Sequence, residues 1–491
     1  MLASAAGASG DLGGQTVSGA AALQLLNDEL SIFNGTLVVT PAAGDTASYA
    51  GAFVNGAVGQ TFALTKSGDG TLALSGIGLS SYSGETLLEG GVLRTDAFDV
   101  LSINSVHRFA GGVLDLAGSG QAVGGLVGSV GTIQSTGAAA LLIDTAGSLS
   151  YGGRITGDIE IVKLGSGLQT LGGNNDYSGG TKLDGGTLRY SSSTAFGTGV
   201  ITVVSDSTLT AAVADLPLGN AIQLDANLTV DGPARLTGVI SGGPGSRLIK
   251  DTSGSLFLSG ANTFEGGVLQ ERGGLFIGND QALGAGTFTT TRNTVFGTIG
   301  DISLTIANNI EIGGTLNVQR PTLPPPPSPP LLPPPPLTLT FNGVISDTPG
   351  LQGSMLFQVG DAPAIFNGAN TYSGVTRVAT GVFGFGNSLA AGTSRITASG
   401  VGGLAAYADD LVIANRIFTG TSLGFDTRGF DTTLTGVIED AFAEGGTRNP
   451  GGINKLGAGT LTLTAANLYT ETTIVSAGTL LLTGSVVGDV D

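Results

Sequence analysis

The chain has no cysteine and no tryptophan, one histidine and two methionines in 491 residues. Without cysteine there can be no disulfide scaffold, no thiolate zinc site and no cysteine nucleophile. With one histidine, any Ser-His-Asp arrangement must use His107. Charged residues make up only 11% of the chain, against roughly a quarter in an average soluble domain. Lys and Arg number 19 against 37 Asp and Glu, a formal net charge of -18. Such a surface repels phosphate backbones, so no nucleic-acid partner is expected. Helix-forming stretches are nearly absent. The one candidate, residues 20–30 (AAALQLLNDEL), reads either as a cover for the open end of a sheet stack or as a further coil with a loop. Mean hydropathy is positive, at +0.32. The longest uncharged run of note, residues 116–143, is nevertheless half Gly, Ser, Thr and Gln, too polar for a lipid-spanning helix. The N-terminus shows neither a basic n-region nor a long apolar h-region, so no signal peptide is visible.

What is abundant is glycine, 85 residues, together with 41% hydrophobic residues, enough for a large core. No strict Gly-X-Y period runs through the chain, which excludes collagen. Five segments are self-similar: 64–93 (LTKSGDGTLALSGIGLSSYSGETLLEGGVL), 162–188 (VKLGSGLQTLGGNNDYSGGTKLDGGTL), 249–275 (IKDTSGSLFLSGANTFEGGVLQERGGL), 357–383 (FQVGDAPAIFNGANTYSGVTRVATGVF) and 454–480 (NKLGAGTLTLTAANLYTETTIVSAGTL). A second block, of the form Leu-Thr-Gly-Val-Ile, recurs upstream at residues 154, 236, 341 and 434. Lys66, Lys163, Lys250, Gln358 and Lys455 occupy one equivalent position, 87 to 108 residues apart. The longest interval holds the run 321–336, with 11 of the 18 prolines. Repeats on this scale point to a solenoid.

Inside each unit the hydrophobic period is two. Thr71-Leu72-Ala73-Leu74-Ser75 and Thr460-Leu461-Thr462-Leu463-Thr464 alternate, which predicts half-buried strands with leucine inward. Gly, Asn and Asp punctuate the strands as turn residues. A unit of 90–97 residues fits about four coils of roughly 22–24 residues, stacked at about 4.8 Å.

The repeated Lys-x-Gly-x-Gly-Thr-Leu, Asn-x-Tyr-Ser-Gly-x-Thr and Gly-x-Leu pattern resembles the autotransporter-associated β-strand repeat. Residues 68–74, 163–181, 260–267, 368–374 and 455–463 carry the match best. That repeat occurs in passenger regions of type V secreted proteins of Gram-negative bacteria. The resemblance implies a right-handed parallel β-helix and a place outside the cell. It leaves activity open, because passengers differ in what they do. No C-terminal membrane β-barrel is recognisable, so a passenger portion or a rod subunit is expected.

Several residues invite a chemical reading. Tyr82, Tyr177, Phe264, Tyr372 and Tyr469 align, as do Asn175, Asn262, Asn370 and Asn467. An exposed aromatic track would bind sugar. A residue at the same place in every repeat more simply seals the same turn, and Phe264 suggests that the hydroxyl is dispensable. The asparagines are expected to bond turn backbone. His107 has no nucleophile elbow around it. Asp409-Asp410 and Glu439-Asp440 with Glu444 offer the paired carboxylates of a glycosidase, but read better as solvated loops beside turns. They form no EF-hand or tandem calcium repeat. Gly152-Gly153 and Gly273-Gly274 lack the Lys-Ser/Thr of a phosphate loop. The proline run replaces a tight turn between two strands of one coil and serves as a docking site, a spacer, a lateral contact or an inert loop.

The expectation is therefore an all-β, right-handed parallel β-helix, a single extended rod. It has an N-terminal segment or cap at 1–40, β-helix at 41–320, a proline-rich loop at 321–336 and β-helix again at 337–491. The expected function is a secreted or cell-surface adhesive rod or fibre subunit, with no catalytic, cofactor or metal site. Expected partners are a host or cell-surface ligand and either a further copy, end to end, or the rest of a longer chain. A carbohydrate-active β-helix enzyme is the alternative. An ice-binding face would need threonines in register on every coil, which the unequal repeat spacing opposes.

Overall fold

In the computed structural model, the structure describes residues 16–18, 32–56, 58–76, 79–300, 302–319, 337–360, 363–398, 402–442 and 446–491. The helix candidate at 20–30, Glu444 and the proline run lie outside these residues. Among the described residues there is no helix; short strands, mostly of three to five residues, pair in parallel. The one antiparallel pair among them joins Ile438–Phe442 to Arg448–Asn449. The fold is a parallel β-solenoid, and it divides into two compact units, residues 1–242 and 243–491.

The first unit is built on two sheets. Sheet one runs from Thr16–Ser18 and Gly35–Val39 to Leu228–Asp231, and sheet two from Thr46–Tyr49 to Ile240–Gly242. Parallel pairing thus already occurs within residues 16–39. The second unit uses four. Sheet three starts at Leu248–Lys250, sheet four at Ser255–Leu258, sheet five at Leu304–Ile306 and sheet six at Leu411–Ile413.

Alternation does what the sequence suggests. Leu72, Leu74, Leu461 and Leu463 are at most 1% exposed, and Leu72 and Leu461 pair with Leu93 and Leu480 one coil on. Each such leucine contributes about 1.5–3 kcal/mol by leaving water. Aromatics also stack between coils: Phe341, Phe366 and Phe383 form a column with ring centroids 4.9 and 4.5 Å apart.

The coil length corrects the estimate of four coils per repeat. Lys66 pairs with Leu88, Leu88 with Phe109, Phe109 with Gly128 and Gly128 with Tyr151, steps of 19 to 23 residues. Lys163 lies 12 residues beyond Tyr151, one strand further round, and so falls on sheet two rather than sheet one. A repeat is four coils plus one strand. In the second unit, the strands holding Lys250, Gln358 and Lys455 lie on sheets three, four and five. Equivalent residues within a unit therefore face different sides.

The proline run interrupts one corner between sheets four and five. Elsewhere in the unit this corner takes the five residues 299–303 or the four residues 360–363; here it takes 320–338. The flanking strands, Thr315–Gln319 and Leu339–Phe341, keep their parallel partners on both sides. The insertion leaves the coil stack intact.

Candidate functional site

The repeat motif folds into a buried polar node. Four of the five lysines, Lys66, Lys163, Lys250 and Lys455, are fully buried. Each closes a strand on the same parity as an inward residue, as Lys66 does after Phe62 and Leu64. Its ammonium then turns onto the carbonyls of the glycine-rich turn. Lys66 Nζ donates to Ser67 O at 2.8 Å, Gly68 O at 2.9 Å and Gly90 O at 3.0 Å. Lys455 Nζ donates to Leu456, Gly457 and Ala477 carbonyls at 2.7–2.9 Å and to Thr427 Oγ1 at 3.0 Å. Lys163 bonds Leu164 O and Gly165 O, and Lys250 bonds the carbonyl and hydroxyl of Thr252. Burial lowers the Lys163 pKa to about 8, with the charge of Asp144 opposing, so the group stays protonated at neutral pH.

The two ends of the motif meet here. Gly91, Gly186 and Gly478, from the Gly-x-Leu signature, sit at φ between 60° and 73°. A Cβ on any of them would lie 2.6–2.8 Å from the lysine Nζ and closer still to a backbone carbonyl. Only glycine supplies both the left-handed backbone and the room.

The aligned aromatics are interior. Tyr82, Tyr177, Phe264, Tyr372 and Tyr469 are all 0% exposed, and successive repeats within a unit use different sheets, so they form no track for a sugar. The tyrosine hydroxyls share hydrogen bonds of 2.5–2.7 Å with Thr86, Thr181, Thr376 and Thr473, four residues on. Burial raises the Tyr82 pKa to about 12 despite the Thr86 and Ser105 hydroxyls. Where the ring is Phe264, the residue four on is Val268. The hydroxyl is dispensable only together with its partner.

The asparagines stitch coils. Asn175 Oδ1 accepts from Ile155 N at 2.8 Å in the preceding coil, and its Nδ2 donates to Ala195 O at 2.6 Å in the next. Asn370 does the same with Ile345 and Ala390. A second set escaped the sequence reading. Asn220, Asn308 and Asn415 follow Asn175, Asn262 and Asn370 by 45 or 46 residues, a spacing that would have disclosed them. Their amides close the Ala-x-Gly turns on the carbonyls of Gly197 and Gly199, Gly284 and Gly286, and Gly392 and Ser394.

His107 is fully buried in strand Val106–Phe109. Its Nδ1 lies 3.1 Å from Ser105 O, its Nε2 has no partner, and burial pushes its pKa down to about 4. Asp409 accepts from Asp431 N at 2.8 Å, and Asp431 accepts from Thr460 N at 2.8 Å, an aspartate ladder along successive turns. The solvated-loop reading fails for Asp440, which is 1% exposed. It accepts from Gly451 N, Thr470 N and Thr470 Oγ1 at 2.8–2.9 Å and pairs with Arg448 at 2.9 Å. Burial alone would raise its pKa, but these donors hold it below the usual carboxylate range. The reason is the short antiparallel excursion, which Asp440 pins to the coil. Glu439, also buried, pairs with Arg416.

These nodes coincide with a known sequence family. Residues 64–94, 161–189, 248–269, 364–383 and 453–482 match the passenger-associated-transport-repeat. The five segments are passenger-associated-transport repeats. Over 165 residues, 32% of the chain, the sequence is 39% identical to the Adhesin BmaC autotransporter of Brucella suis biovar 1 (strain 1330). The chain spans 5% of the length of that relative. No solved structure matches. The passenger repeats thus bear out the autotransporter resemblance, and the structure shows what their invariant-looking residues do: Lys, Asn and Tyr-Thr serve the interior. Binding chemistry belongs to the outward faces. Among the described residues no helix is long and apolar enough to cross a membrane.

Proposed function

We propose that the chain is part of a secreted, cell-surface adhesive passenger that acts by binding through its outer sheet faces, without turnover. The observation that carries this reading is the assignment of the repeat's polar residues to structure, which leaves the solvent faces to vary, in a chain similar to an autotransporter adhesin. Displaying residues 1–491 on a non-adhesive bacterium should raise attachment to cultured cells above that given by an unrelated solenoid. No rise would remove the adhesive reading. A panel of polysaccharides should show no reducing-end release. Release that disappears in His107→Ala, Asp409→Asn or Asp410→Asn would establish the enzyme alternative instead.

End-to-end assembly is the finer part of the proposal. Strand Thr479–Leu482 pairs with Thr460–Leu463, and Leu481 is 48% exposed. An open strand edge recruits further strands. Light scattering at rising concentration should report growing mass; a constant monomer mass counts against assembly.

A further inference from the structure

The outer face of sheet four carries a patch unlike the rest of this acidic chain. Successive strands Thr376–Val378, Ile396–Ala398, Ile417–Thr419 and Ile438–Phe442 pair in register. Their outward positions form a grid. One column reads Val375, Arg395, Arg416, Val437; the other reads Arg377, Thr397, Phe418, Glu439. Rows lie about 4.8 Å apart.

Arg395 and Arg416 are therefore neighbours in one column, both exposed, with no carboxylate between them in the grid. Like charges directly opposite on adjacent strands oppose one another. Both guanidinium carbons lie against the Phe418 ring, at 5.6 and 5.3 Å from its centroid. Arg416 also donates to Glu439 Oε2 at 2.7 Å, on the side away from Arg395. The ring thus holds two cations one coil apart, and a single carboxylate offsets one of them. With four of the five lysines buried and a net charge of -18, this concentration of cations is local. A guanidinium fork suits carboxylate and sulfate oxygens.

We infer that the Arg395–Phe418–Arg416 face binds an anionic glycan, one bearing uronate or sulfate groups, with one acidic group lodged between the two guanidiniums. A glycan is favoured over an acidic protein because a thin chain meets only this strip. A folded acidic body would also meet the surrounding negative charge, which repels it. The inference rests on the adhesive reading and can fail separately. Cell attachment without glycan binding removes this inference and leaves that reading standing.

The test is binding of the whole chain, by calorimetry at low and high salt, to a heparin-derived octasaccharide, an oligogalacturonate, neutral dextran and poly-glutamate. At least one anionic glycan should bind, weakening as salt rises, and dextran should not. Arg395→Gln and Arg416→Gln should each cost about tenfold in affinity, while Arg94→Gln, in the other unit, should cost nothing. Circular dichroism of each variant reports that it is folded, and Arg395→Lys should recover only part of the affinity, because it keeps charge but loses the fork. Absence of binding to both anionic glycans, an equal loss in Arg94→Gln, or tighter binding of poly-glutamate than of either glycan would overturn the proposal.

Discussion

The second and third repeats solve one packing problem with different chemistry. In the second, Tyr177 and Thr181 share a buried hydrogen bond of 2.7 Å. In the third, Phe264 and Val268 fill the same two positions and neither carries a hydroxyl. What the solenoid preserves is the satisfaction of buried polar atoms, and not any one residue. A lone hydroxyl would be costly in the interior, whereas a pair, or none, is not. The lysine is different. It persists in both repeats because its acceptors are backbone carbonyls, which no substitution removes.

The largest break in this comparison strikes what the two repeats share. Leu188→Asp and Leu275→Asp each place an unpaired carboxylate at a position of 0% exposure. Each should cost roughly 4 kcal/mol or more, equally in both repeats, and lower the denaturation midpoint of its unit. A clear inequality between the two would show that the leucine ladders are not equivalent.

Next is pH, acting on the buried polar group that is only half partnered. His107 is neutral when folded, with a pKa lowered from 6.5 to about 4 by burial. The unfolded chain takes up the proton near 6.5. The stability held above pH 6.5 is therefore lost as pH falls toward 4, by about 3 kcal/mol at most. Urea midpoints measured between pH 6.5 and 5, above the main carboxylate range, should fall in the native chain and fall less in His107→Leu. Identical slopes would show that His107 is not the titrating group.

Lys163→Met keeps the buried stem and removes the donors for Leu164 O and Gly165 O. A loss of about 2 kcal/mol is expected, with a similar loss for Lys250→Met. The smallest effect is the most discriminating. Thr181→Val alone should cost about 1 kcal/mol, and adding Tyr177→Phe should restore most of it. The reverse pair, Phe264→Tyr with Val268→Thr, should be close to neutral, although each single change is destabilising. Additive costs in either cycle would refute the paired-hydroxyl account.

The sequence carried more of the node than was read from it. Lys66, Lys163, Lys250 and Lys455 fall on the apolar parity of their strands, two residues after Leu64, Ile161, Leu248 and Ile453. Alternation, taken literally, puts each of them inward. The expectation that charge stays at the surface masked this, and only the closing turn shows where the ammonium finds its acceptors. Asp440 was misread for a similar reason. Its donors, Gly451 and Thr470, are 11 and 30 residues away, beyond the reach of any local pattern.

By itself the sequence determined the period-two alternation, the inward leucines, the repeat and hence the solenoid, because these follow from residue-by-residue geometry that each strand repeats. Which side of a coil each repeat faces was decided only by the tertiary structure. A unit of four coils plus one strand turns equivalent residues onto different sheets, and this count depends on how many residues each corner absorbs. The cationic face of sheet four has the same origin. Arg395 and Phe418 are 23 residues apart in the chain, and only the coil length between them brings the guanidinium to the ring.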